Sequence, residues 1–301
     1  MTLSRRSFLQ NASALAGGAL AAGISPLARA IEPIPRSGTP KFKFSLAAYS
    51  YRDLLSGENP KLTLHDFVSD CAKFGLEGTE LTSYYFPKNV TPEYLRQLAA
   101  HAFRLGLDVS GTAVGNDFGH GPGDKRQEQI ASVKKWIEYA DMLGAPVIRI
   151  FAGHEQKDQT PAQAHSLMVA GIEECCEYAG KYGVYLALEN HGGPTATADG
   201  LLEFVRDVNS PWFGVNLDSG NFHTEDPYGD LAKIAPYAVN AQIKVVMSRP
   251  GKEKEPADYA RLAKILRDAH YRGYVVLEFE EKGDVREECA KHLEKLREAF
   301  A

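Results

Sequence analysis

The 301-residue chain is poor in cysteine: only Cys71, Cys175, Cys176 and Cys289 occur, and no two of them form a CxxC pair or a zinc-finger spacing. That argues against a disulfide-stapled small fold and against a thiolate metal site, and it leaves buried free thiols as the expectation. Nucleotide-binding fingerprints are missing as well. The first apolar run, Phe44-Ser45-Leu46-Ala47-Ala48-Tyr49, has no G-x-G-x-x-G, and Gly119-His120-Gly121-Pro122-Gly123 lacks the lysine of a P-loop, so it reads as a flexible lid or loop. Excess positive charge is also absent. Lysine and arginine number 34 against 39 acidic residues, a net charge of −5, which excludes the broad basic surface of a nucleic-acid binder. The apolar stretch over residues 12–24 is too short and too Gly-rich to span a membrane comfortably.

What that stretch does resemble is an export signal. Ser4-Arg5-Arg6-Ser7-Phe8-Leu9 precedes it, and Ala28-Arg29-Ala30 follows with small residues around a cleavage point. Paired arginines before a weakly apolar run suggest the twin-arginine route, hence a periplasmic or otherwise exported protein with no stable membrane insertion after cleavage. Residues 1–30 are read as this signal. Residues 31–41, with Pro33, Pro35 and Pro40, are read as an extended linker, and 42–301 as one domain.

From residue 42 onward, short apolar runs alternate with longer amphipathic stretches. The runs cover residues 42–48, 78–81, 107–112, 146–151, 184–188, 213–217, 241–246 and 274–279. Continuous apolar character suits parallel strands buried on both faces. Between the runs, apolar residues recur at three- and four-residue spacing over 62–74, 92–105, 125–143, 161–182, 199–208, 227–235, 256–270 and 285–300. Pro92, Pro161 and Pro256 are placed as first helical residues, and Gly75, Gly106, Gly144, Gly183 and Gly273 as helix ends. Eight β-then-α repeats predict a closed (β/α)₈ TIM barrel of the α/β class.

In such a barrel the active site lies at the C-terminal strand ends. Polar residues there are therefore informative. Runs five to eight bring Glu189, Asp218, Gln242 and Glu278 to one rim. Buried neighbouring carboxylates repel one another, and a divalent cation between them removes that cost. Three carboxylates and a neutral oxygen suit Mn²⁺, Mg²⁺ or Co²⁺, with Zn²⁺ a further candidate. His191, Lys244, Glu80, Arg149, Asn221 and Glu280 are candidate substrate-binding residues at the same rim. Asn216 brackets Asp218, and Tyr84, Tyr85 and Phe86 could stack on a sugar face. His154 and His223 read as loop histidines.

Glu77-Gly78-Thr79-Glu80-Leu81, Leu188-Glu189-Asn190-His191-Gly192, Asn216-Leu217-Asp218-Ser219-Gly220-Asn221 and Leu277-Glu278-Phe279-Glu280 resemble the xylose isomerase-like barrel superfamily of sugar isomerases and epimerases. The resemblance implies a metal set of Glu, Asp, His and Glu on strands five to eight, which falls on Glu189, Asp218, Gln242 and Glu278. Gln242 stands where the ketose epimerases have histidine. The resemblance also implies that Glu189 and Glu278 remove and return a proton beside the carbonyl of a small carbohydrate. It leaves three alternatives: a lyase acting on 3-keto-glycosides, a non-catalytic carbohydrate-binding barrel, and an abasic-site endonuclease. The last is disfavoured by the acidic charge and by the scatter of the nine histidines. Helix faces alone leave a homo-oligomer open.

Overall fold

Eight parallel strands close into a barrel in the computed structural model, which describes residues 31–301; the export signal read in residues 1–30 lies outside the described residues. The strands are β1 (Lys41–Ala47), β2 (Gly78–Thr82), β3 (Asp108–Ala113), β4 (Val147–Ile150), β5 (Tyr185–Glu189), β6 (Phe213–Asp218), β7 (Ala238–Lys244) and β8 (Arg272–Glu278). Each pairs in parallel with its sequence neighbours, and β1 closes the ring by pairing with β8 from Lys41↔Arg272 to Leu46↔Leu277. The longer helices are α1 (Leu64–Lys73), α2 (Pro92–Arg104), α3 (Asp124–Leu143), α4 (Pro161–Gly180), α5 (Ala198–Asp207), α6 (Pro227–Ile234), α7 (Tyr259–Asp268) and α8 (Val285–Phe300), and a single turn, Arg52–Leu55, follows β1.

Local chemistry explains the helix boundaries. Thr63 and Thr160 open α1 and α4 with capping boxes completed by Asp66 and Gln163. Pro92 and Pro161 occupy the first helical turn, where a missing N–H costs nothing. Gly144 ends α3 in the left-handed region at φ 73°, as its position predicts.

Two expectations fail near the C-terminus. Pro256 does not start α7. It sits in a short antiparallel ladder with Val246, and Asp258 caps the helix instead by accepting from Arg261 N. Gly273 does not end α7 either. His270 takes the left-handed turn at φ 53°, while Gly273 lies inside β8 with the Tyr271 ring where a side chain would stand.

Strand β7 begins at Ala238, three residues earlier than its apolar run, and so includes Asn240. The segment before β1 is held against the barrel. Ile31 N donates to Val205 O at 3.0 Å, Ile34 N donates to Pro236 O at 3.1 Å, and Arg36 lies 5.1 Å over the Tyr271 ring. All four cysteines are free and buried.

Candidate active site

Glu189, Asp218, Lys244 and Glu278 are the last residues of β5, β6, β7 and β8. Parallel pairing therefore delivers four charged side chains to one end of the barrel. The register sets Asp218 opposite Gln242 and Glu278 opposite Lys244. A cavity of about 230 Å³ opens there, lined by Tyr49, Thr82, Tyr84, Arg149, Phe151, Glu189, His191, Gln242, Lys244, Glu278 and Glu280, among others.

The electrostatics are those of under-compensated negative charge. Glu189, Asp218, Glu278 and Glu280 gather at this end of the barrel with Arg149 and Lys244 among them, and Glu80 lies beneath. Lys244 Nζ lies 2.7 Å from Glu280, 3.2 Å from Glu278 and 3.6 Å from Asp218. Arg149 Nε lies 2.9 Å from Glu189 Oε2, an ion pair that is not aligned as a hydrogen bond.

All of these carboxylates except Glu280 hold their protons tightly, and burial raises Glu80 to about 7. Burial pushes Glu189 up to about 7, against the opposing pull of Arg149. Burial raises Asp218 to about 8 although Lys244 pulls it down, and the neighbouring Glu189 adds to the rise. Glu278 rises to about 7 by burial, opposed by Lys244 and reinforced by Asp218 and Glu280. Burial works against the Lys244 charge, but Asp218, Glu278 and Glu280 outweigh it and raise its pKa. Glu280, paired with Lys244, falls below its usual value although burial opposes the fall.

A model of the xylose isomerase-like TIM barrel matches residues 68–299, most of the chain. The chain belongs to the xylose isomerase-like TIM barrel family. Solved structures repeat this architecture. The D-psicose 3-epimerase of Clostridium cellulolyticum H10, solved with D-tagatose, superposes with a TM-score of 0.70 at 18% identity, over 86% of this chain and 99% of that one. The 3-keto-D-glucoside 4-epimerase of E. coli gives 0.69 at 15% identity, over 86% and 100%. The probable 3-DHS dehydratase of Bacillus anthracis gives 0.65 at 18%, over 85% and 98%. At these identities the likeness establishes the shared fold. No curated protein matches the chain by sequence.

The donor set can be tested against the divalent cation that the family resemblance implies. Asp218 Oδ2 and Glu189 Oε2 are both buried without an aligned hydrogen-bond donor. Buried acceptors are rarely left so. With three carboxylates raised by burial and mutual repulsion, the residues fit a hard or borderline dication held by Glu189, Asp218 and Glu278. Among the described residues, no three acidic, histidine or cysteine side chains already converge at ligand distance. The Lys244 ammonium stands between Asp218 and Glu278, and holding an ion there requires it to withdraw toward Glu280, its nearest partner.

The remaining expected residues divide into three groups. Arg149, His191, Lys244 and Glu280 line the cavity. His191 is at the exposed rim with its ring 4.5 Å from Phe151, and burial followed by repulsion from Arg149 and Lys244 lowers its pKa. Asn221 acts one step away by donating to Glu189 Oε1 at 2.9 Å. Glu80 lies beneath the cavity with both oxygens engaged, so its placement is that of a structural acceptor rather than a lining residue. Asn216 is buried beside Gln242 rather than exposed to a ligand. The loop at residues 119–123 is anchored: Arg126 donates to Phe118 O and His120 O, and Gln159 donates to Gly119 O. His154 lines a separate cavity of about 390 Å³ formed by the loops after β4 and β5 together with α4 and α5.

Sequence reasoning missed Tyr49, Phe151 and Asn240. Tyr49 and Phe151 line the cavity, yet both sit at the edge of apolar runs and read as core. Asn240 shares the alternation of Gln242 and Lys244, which was a usable signal had β7 been started earlier.

Proposed function

We propose that the chain is a sugar isomerase or epimerase that removes and returns a proton beside a carbonyl, with assistance from a divalent cation. The observation that carries this reading is the group of three buried carboxylates ending β5, β6 and β8, two of them with orphaned oxygens. When bound, a divalent cation would polarise the sugar carbonyl and offset the charge that builds on its oxygen.

The chain's own residues supply the rest. Glu189 and Glu278 lie three strands apart around the barrel, so they face the cavity from different sides and can take a proton from one face and return it to the other. Asn221 holds Glu189 by Oε1, and the second oxygen, which faces Arg149, is the one placed to act as base. Lys244, fixed by Glu280, stands where it can donate to a substrate hydroxyl. Tyr49 and Tyr84, with ring centroids 6.5 Å apart, offer faces on which a sugar can stack. The ion proposed is Mn²⁺, Mg²⁺ or Co²⁺, and the setting proposed is outside the cytoplasm.

A second reading is elimination from a 3-keto-glycoside, in which the same base removes the proton and the aglycone leaves. The likeness to a 3-keto-glucoside epimerase and to a probable dehydratase supports keeping it. Mature protein loaded with Mn²⁺ is incubated with free ketoses and with 3-keto-glycosides, and the products are read by NMR. Interconversion of epimers without cleavage supports the first reading. Release of aglycone supports the second. No change in either class of sugar contradicts both and leaves a carbohydrate-binding barrel.

A further inference from the structure

Gln242 is the fourth residue that the sequence reading placed in the metal set, and its amide is occupied at both ends. Asn216 Nδ2 donates to Gln242 Oε1 at 2.6 Å, and Gln242 Nε2 donates to Glu80 Oε1 at 2.6 Å. Asn240 Nδ2 donates to Glu80 Oε2 and to Asn216 Oδ1, both at 2.9 Å. Four side chains from β2, β6 and β7 thus close a ring across the barrel, and none is more than 2% exposed.

The amide orientations within the ring are mutually consistent. Asn240 Nδ2 donates to Asn216 Oδ1, which turns the Asn216 NH₂ toward the Gln242 carbonyl and leaves the Gln242 NH₂ facing Glu80. To ligate a metal, that carbonyl would have to leave Asn216 and strand a buried donor. The backbone is built around the same residues. The β2–β3 register shifts between Thr79 and Glu80, and the β6–β7 register shifts between Val215 and Asn216. Such irregularities re-aim side chains next to functional sites. The ring lies two residues before Asp218 on β6 and two before Lys244 on β7, so it sets the level of both residues at their strand ends.

We infer that Gln242 is a positioning residue and not a metal ligand: at the cavity floor, with Glu80, Asn216 and Asn240 below it, it braces β2, β6 and β7, and the protein's ligands to the ion are Glu189, Asp218 and Glu278 alone. This rests on the metal-assisted reading above.

The test uses chelator-stripped protein titrated with Mn²⁺ by calorimetry and by electron paramagnetic resonance. Gln242→Met should still bind one Mn²⁺ with a Kd within about threefold of the unaltered protein, whereas Asp218→Asn should weaken it about tenfold or more. The Gln242→Met spectrum should broaden, because Asp218 loses its brace. Its Tm should fall, and Glu80→Met/Gln242→Met should recover part of the loss, because the buried carboxylate leaves together with its donor. That double variant also carries the Mn²⁺ titration if the single variant does not fold. Loss of Mn²⁺ affinity in Gln242→Met equal to that in Asp218→Asn overturns the inference. So does an unchanged spectrum with an unchanged Tm. If the unaltered protein takes up no divalent ion, the functional reading fails and the ligand assignment falls with it; the Tm comparison, which needs no metal, then decides whether the brace exists.

Discussion

Replacing Asp218 by asparagine should make the metal-free protein more stable while weakening its hold on metal. Asp218 is fully buried, its Oδ2 lacks a donor, and its pKa is raised from 3.8 to about 8. A folded-state pKa above the unfolded value means that the native protein binds the proton more tightly than the unfolded chain. The associated stability is present below about pH 4 and is lost as the pH rises through about 8. Asparagine carries no such loss, so the advantage of Asp218→Asn is near zero at pH 4 and reaches its plateau above pH 8. The shift sets a ceiling of about 5–6 kcal/mol. Lys244, 3.6 Å away, loses one of its three carboxylate neighbours in the variant, which takes back part of the gain. The net expectation is about 1–3 kcal/mol, or roughly 2–10 °C in Tm. Thermal unfolding of chelator-treated protein at pH 5 and pH 8 reads it directly. With Mn²⁺ at about 100 times its Kd, the unaltered protein should gain about 2.7 kcal/mol and overtake or approach the variant, which should gain far less. A metal-free Asp218→Asn protein that is less stable than the unaltered one at pH 8 would refute the reasoning.

Glu189→Gln and Glu278→Gln should each lower kcat by about 10²–10⁴-fold, with far-UV circular dichroism unchanged; near-normal turnover in both removes the proton-transfer assignment. Gly220→Ala would place a Cβ 2.7 Å from Lys244 Cδ, so the Lys244 side chain must shift from its place beside Glu278 and Glu280. The expected result is a drop in kcat/KM of about tenfold or more, checked by steady-state kinetics on whichever sugar is turned over. Arg5→Lys combined with Arg6→Lys should retain the precursor inside the cell if the twin-arginine reading of residues 1–30 is right, as read by fractionation and immunoblotting.

The barrel was legible because parallel strands buried on both faces leave unbroken apolar runs, separated here by helices with threonine caps and glycine ends. Glu189, Asp218 and Glu278 were legible for the same reason, since each is a carboxylate at the end of an apolar run. What escaped depends on contacts made across the barrel. Glu80 and Gln242 are 162 residues apart in sequence, and nothing local shows that one accepts from the other. Asn240 was lost because the apolar start of β7 was taken at Ala241, although alternation at 240, 242 and 244 continues the same inward face. Pro256 was misplaced because a proline before an amphipathic run serves a ladder as readily as a helix start. Tyr271 decides Gly273: its ring fills the space a side chain would need, so that glycine answers to packing rather than to helix termination.

The most direct measurement of the proposed chemistry is proton exchange with solvent. Mn²⁺-loaded protein is incubated with ketoses and 3-keto-glycosides in D₂O, and deuterium at the carbon beside the carbonyl is followed by NMR. The proposed function predicts incorporation that chelator abolishes and that Glu189→Gln and Glu278→Gln both suppress. Turnover of a sugar without deuterium at that carbon, or exchange that persists in both variants, would contradict it.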